Sequence, residues 1–176
     1  SPAAHPEPVA LCGGAGSATV AQLHAKLEVW NTTACDFYFV DAAKLRAATD
    51  DELPSMPRLQ DLQASKKEWL VKKRLTLGGV CAREYTSEYL AVSHRWEDLR
   101  APDPRGEQLR ELKEHLQKHP MIKYVFLDAM CMPLPPHRAP TERSELTLML
   151  PNVALLYLGC SVLVLLDQAF TQRFWL

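Results

Sequence analysis

The stretch YLAVSHRWED, residues 89–98, sets serine, histidine, arginine, tryptophan, glutamate and aspartate in a row directly after an apolar run. Arg95 and Trp96 together offer a charge clamp and a stacking surface in one loop. Ser93 and His94 add a hydroxyl and an imidazole. Two more carboxylates, Asp128 in FLDAMCM and Asp167 in LLDQAF, also end apolar runs. Ser93-His94 is no sign of a hydrolase, because a nucleophile elbow needs glycines around its serine. His94, His137, Cys131 and Cys160 lack the spacing of a zinc site, and cysteines in apolar contexts pack as small hydrophobes, so no metal is expected.

The elements that must position these groups follow from the pattern. Three apolar runs, YLAVS, KYVFLD and CSVLVLLD, are separated by segments long enough for helices. The first separator carries Leu109, Leu112 and Leu116 at helical spacing, with Asp103 as cap, Pro104 at the first helical position and Pro120 past the end. The second runs from Thr141 as cap to Gly159 as stop, and Pro151 must kink or divide it. Strands joined by helical crossovers run parallel, and continuous apolarity implies that both faces are covered. The expected fold class is α/β, with a flavodoxin-like, mostly parallel sheet and helices on both faces. Ligands gather outside the carboxyl ends of such strands, which is where Ser93–Asp98, Asp128 and Asp167 fall.

Upstream, residues 1–16 read as an irregular tail and 17–88 as a mainly helical extension with one candidate strand. Val20, Leu23, Leu27 and Trp30 form a helical stripe behind Ser17 or Thr19. DFYFV, 36–40, reads as a strand, and Asp41 opens the helix after it. ELPSMPRLQDLQASKKEWLVKKRL reads as an amphipathic helix entered through Ser55 and Pro57, and LTLGGVC as a tight glycine turn. On that helix Lys66, Lys67, Lys72, Lys73 and Arg74 would form a solvated face. VALCGGAGSATVAQL resembles a phosphate loop, but Thr19 stands where the dinucleotide pattern has its third glycine and no lysine follows, leaving a flexible turn.

Composition sets limits on partners. A chain of 176 residues with 47% apolar and 23% charged side chains can bury one sizeable core. Twenty basic against twenty-one acidic residues leave no field to steer a polyanion, so nucleic acid is not an expected partner. Five scattered cysteines without a Cys-x-x-Cys pair fit a reducing, intracellular setting, with the cytoplasm favoured. CSVLVLL is too short to span a bilayer, so no membrane role is expected. The start at Ser1 and the stop at TQRFWL read as a piece of something longer.

YLAVSHRWED, YVFLDAMCMP and LLYLGCSVLVLLDQAFTQRFW together resemble three successive blocks of the TIR-like superfamily, in particular its heterokaryon-incompatibility branch. Tyr89, Ser93 and Trp96 match the first block, and Asp128, Ala129 and Cys131 the second. Tyr157, Arg173, Phe174 and Trp175 correspond to the third. The likeness covers residues 89–176, and 1–88 match no family pattern. It implies a domain of immune or stress signalling that associates with like domains or joins a larger assembly. In catalytic members it implies cleavage of NAD, as substrate rather than cofactor, at the nicotinamide-ribose bond. That step passes through an oxocarbenium-like state and needs a carboxylate. The family's glutamate lies a turn beyond the position of Trp175, past Leu176, and the family's later strands are missing too. Glu97 and Asp128 are therefore the in-chain candidates for the acid. Ser93, His94, Arg95, Trp96, Asp167, Arg173 and Trp175 are the expected ligand-binding residues. With the family's glutamate missing, the resemblance favours a non-catalytic association module, with NAD hydrolysis as the alternative.

Overall fold

The computed structural model describes residues 33–98 and 101–165. The glycine loop at 12–16, the stripe Val20–Trp30 and the residues Asp167, Arg173 and Trp175 lie outside them. Among the described residues the chain forms an α/β fold with a five-stranded mixed sheet, ordered β2-β1-β4-β3-β5, and seven α-helices.

The aromatic run at 36–40 forms the middle of β1 (Ala34–Asp41). Phe37 and Phe39 are wholly buried and meet Phe126 edge to face, each burial stabilising the fold by about 1.5–3 kcal/mol. Asp41 stops the strand and caps α1 (Ala42–Ala47), accepting from the backbone N–H of Ala43 at 2.7 Å and of Lys44 at 3.4 Å.

The expected amphipathic helix from Ser55 onward is corrected. Only α2 (Leu59–Ser65) and a 3-10 turn (Lys67–Trp69) form, and Arg58 rather than Ser55 precedes the first helical residue. Leu70–Thr76 is a strand, β2, paired antiparallel with β1 from Ala34↔Thr76 to Val40↔Leu70. The helical propensity of its lysines gives way to the backbone hydrogen bonds that the β1 edge offers. Lys72, Lys73 and Arg74 thus lie on an edge strand and not on a helix face, where charge discourages further pairing. LTLGGVC is no Gly-Gly turn either. Thr76 Oγ1 accepts from Gly79 N–H at 2.9 Å and starts the short helix α3 (Leu77–Cys81). The segment read as a helical extension therefore supplies two strands to the same sheet.

From Tyr89 the expected alternation holds. β3 (Tyr89–Ser93), α4 (Glu107–Lys118) and β4 (Tyr124–Phe126) follow in order. After them come α5 (Asp128–Cys131), α6 (Pro140–Met149), α7 (Ala154–Gly159) and β5 (Ser161–Val164). Pro151 divides the second connection within a 3-10 turn, Leu150–Asn152, and α6 starts at Pro140 with Ala139 as its N-cap instead of Thr141. β3 pairs parallel with β4 on one side and with β5 on the other, so the order reverses at β3. By the right-handed rule the two crossovers then cover opposite faces, and α4 packs on α1 whereas α7 packs on α3.

The sheet is mixed and not mostly parallel, because β1 runs antiparallel to both β2 and β4. Full coverage of every strand is also corrected. β3 is buried through Leu90, Ala91 and Val92, but β5 leaves Val162 and Val164 exposed by 45% and 48%.

Candidate functional site

The site grows from the carboxyl ends of β3 and β4. β3 delivers His94, Arg95 and Trp96 just past its last paired residue, and β4 delivers Asp128 through Leu127. The third side is set by the start of α4. Asp103, fully buried, accepts from the backbone N–H of Gln108 at 3.3 Å and of Leu109 at 2.9 Å. The N-cap position expected at Asp103 belongs to Gly106, with Glu107 and not Pro104 as the first helical residue, and the Asp103 carboxylate meets the helix start across the turn. The turn closes through Gly106 at φ 66°, where a Cβ would lie 2.1 Å from the backbone oxygen of Pro54.

This contact fixes Gln108, which the sequence reading missed. Gln108 Nε2 donates to the Arg95 carbonyl at 3.0 Å, so Oε1 is the atom that faces His94 Nδ1 at 2.9 Å. On the far side of the ring, Nε2 meets Asp128 Oδ1 at 2.9 Å. The His94 side chain is 1% exposed and both its nitrogens face acceptors. Both ring nitrogens are thus engaged by side chains of the fold itself. Neither nitrogen is left to act as a base toward a ligand. His94 therefore orients Asp128 from behind.

Asp128 receives more than the imidazole. Ala129 N–H donates to Oδ1 at 2.6 Å, and Trp96 Nε1–H lies 3.2 Å from Oδ1 and 3.1 Å from Oδ2. Oδ1 thus faces three donors, whereas Oδ2 faces one among the described residues. The side chain is 38% exposed. Trp96 packs against the core and ties its indole N–H to the carboxylate, so it acts here as a donor and a wall.

Tyr157 closes another side. Its hydroxyl donates to the Val92 carbonyl at 3.4 Å, and burial, together with the nearby charge of Asp128, raises its pKa above the usual phenol value. Ser93 lies at the same edge, its carbonyl accepting from Leu165 N–H at 2.9 Å.

Glu97 is placed elsewhere. Its backbone N–H donates to the Pro102 carbonyl at 3.0 Å and its carboxylate pairs with Arg105 at 3.3 Å. No hydrogen bond or ion pair joins Glu97 to Asp128 among the described residues. The structure thus gathers His94, Trp96 and Asp128, with Arg95 contributing its carbonyl, and sets Glu97 in a separate ion pair of the β3–α4 loop. A signal for Gln108 was present in the sequence, since it shares the stripe of Leu112 and Leu116 at i, i+4 and i+8, where a polar residue is out of place.

Elsewhere, a cleft of about 210 Å³ beside β1 and β2 includes Cys35, Asp36, Lys72, Arg74 and Glu145 in its lining. Lys72 pairs with Glu145 at 3.2 Å and Arg74 with Asp36 at 3.5 Å, so its charges are internally matched. No group of three or more histidine, cysteine or acidic side chains suited to a metal occurs among the described residues, and none of their helices is long and apolar enough to cross a membrane. Comparison with protein-family models, with curated protein sequences and with solved structures gives no match to this chain.

Proposed function

We propose that the chain is a TIR-like signalling or interaction domain that associates through the β5 edge with a second copy of itself. The parallel order β4-β3-β5 agrees with the first three strands of a flavodoxin-like sheet. The observation that carries the reading is the contrast between the two sheet edges. β2 bears Lys72, Lys73 and Arg74, the usual guard against strand addition. β5, terminal among the described strands, reads Ser-Val-Leu-Val, with Val162, Val164 and the neighbouring Leu158 exposed and no charge on the strand. Two copies can meet there without like-charge repulsion, adding strand to strand. Sedimentation velocity across a concentration series tests it. Self-association that weakens in Val162→Lys supports the reading, and a monomer at every concentration refutes it.

A second reading, NAD hydrolysis with Asp128 as the acid, is favoured by the geometry of that carboxylate, oriented by His94, Trp96 and Ala129 and still open to solvent. It predicts nicotinamide release from NAD that is lost in Asp128→Asn. No release from the unaltered chain refutes it.

A further inference from the structure

The cleft beside β1 and β2 is built to take apolar side chains. Each of its four charged side chains is already paired, Lys72 with Glu145 and Arg74 with Asp36, so a charged ligand meets no unmatched partner. At about 210 Å³ it is smaller than the roughly 300–1,000 Å³ of small-molecule pockets. Its apolar lining includes the buried Cys35 and Met149 and the 68% exposed Leu148, and Leu150, next to Met149 in the chain, is 60% exposed. The cleft also opens where the chain enters the sheet. Ala34, the first residue of β1, lines it, and the Thr33 carbonyl accepts from Leu77 N–H at 2.9 Å, which pins that entry point. Residues before Thr33 lie outside the described ones, but their sequence places Val20, Leu23, Leu27 and Trp30 at helical spacing. A helical stripe that short has little stability alone and must bury its apolar side against something. Trp30 stands four residues before Ala34, so an extended chain leaves the two Cα atoms at most about 14 Å apart. The short link 31–33 also holds the stripe at an effective concentration in the millimolar range, which favours it over any separate molecule. Residues beyond Leu165 start instead from β5, on the far side of β4 and β3.

We propose that this cleft is the docking site of the chain's own segment 20–30, whose apolar stripe fills it and covers Leu148 and Leu150. Docking takes these two leucines out of competition with the β5 edge as a surface for association. The two surfaces are separate, and neither reading rests on the other.

Iodoacetamide labelling of the full chain carrying Leu148→Cys tests it, with the exposed Cys81 as reference and the buried Cys131 and Cys160 as a check on folding. The expected result is a thiol at position 148 that reacts at least about ten-fold more slowly than Cys81 at every protein concentration, as for a docked state favoured about ten to one. Adding Leu23→Asp and Leu27→Asp breaks the stripe and should bring the rate to within about two-fold of Cys81, with Cys131 and Cys160 still unlabelled. If that variant exposes its core thiols, the milder Trp30→Gln is read in the same way. Labelling of position 148 as fast as Cys81 in the chain with an intact stripe overturns the proposal. So does protection that survives in the folded stripe variants, which assigns the cleft to another segment, or protection lost on dilution, which assigns it to a second copy.

Discussion

Replacing His94 by Phe keeps most of the ring's volume and removes both of its hydrogen bonds, which isolates the polar link from the packing around it. Two partners lose their contact, and they are not equally buried. Gln108 is 8% exposed, and its Oε1 would face an apolar ring at the 2.9 Å position now held by Nδ1. An unmet buried acceptor costs about 1–3 kcal/mol. Asp128 remains open to water and keeps Ala129 and Trp96, so its share is discounted to under about 1 kcal/mol. The sum is a loss of about 1–4 kcal/mol, a large part of the roughly 5–15 kcal/mol of a typical domain. Urea unfolding followed by tryptophan fluorescence reads it as a lower midpoint with an unchanged slope. A double-mutant cycle with Asp128→Asn should return a coupling of about 1 kcal/mol between the two side chains. A His94→Phe variant within about 0.5 kcal/mol of the unaltered chain, inside the range of ordinary surface substitutions, would refute the link.

Gly106→Ala must place a Cβ 2.1 Å from the Pro54 oxygen at positive φ; the strain alone costs about 1 kcal/mol and the clash adds to it, so thermal unfolding should show a clear loss of stability. Burial pushes the thiols of Cys131 and Cys160 up to about 12, so at pH 8 both should resist iodoacetamide until the chain unfolds, while the exposed Cys81 is alkylated, as peptide mass mapping would show. Glu142 is penalised by burial, yet the Arg138 backbone N–H and the Gln60 amide outweigh this and hold its pKa below the usual carboxylate value. Its contribution is therefore complete above the unfolded carboxyl pKa and is lost as pH falls through the lower folded value. Glu142→Gln should destabilise the chain at pH 7, with the difference shrinking at acid pH in parallel melts.

The site shows where local pattern stops being informative. Asp128 and Trp96 could be singled out because both follow apolar runs. The role of His94 could not, since it depends on a glutamine fourteen residues on and a carboxylate thirty-four residues on. Glu97 was legible as a carboxylate in the right loop, but Arg105 from the same loop holds it. In the fold, Leu109, Leu112 and Leu116 declared α4, and Asp41 declared the start of α1, because helical periodicity and capping are local properties. Leu70–Thr76 did not declare itself as a strand. Its lysines and arginine suit a helix equally, and only β1, more than thirty residues upstream in the pairing Asp36↔Arg74, supplies the hydrogen bonds that settle it.

The sequence by itself determined the alternation of strand and helix from Tyr89 onward and the placing of polar groups at strand ends, since each follows from side-chain periodicity within a few residues. Tertiary structure alone decided that β1 and β2 join that sheet antiparallel, that the order reverses at β3, and that Gln108, His94 and Asp128 form one hydrogen-bonded chain. Those outcomes depend on which backbone edges and which buried donors and acceptors meet across long separations, and unmet polar groups are too costly in the interior for the alternatives to persist.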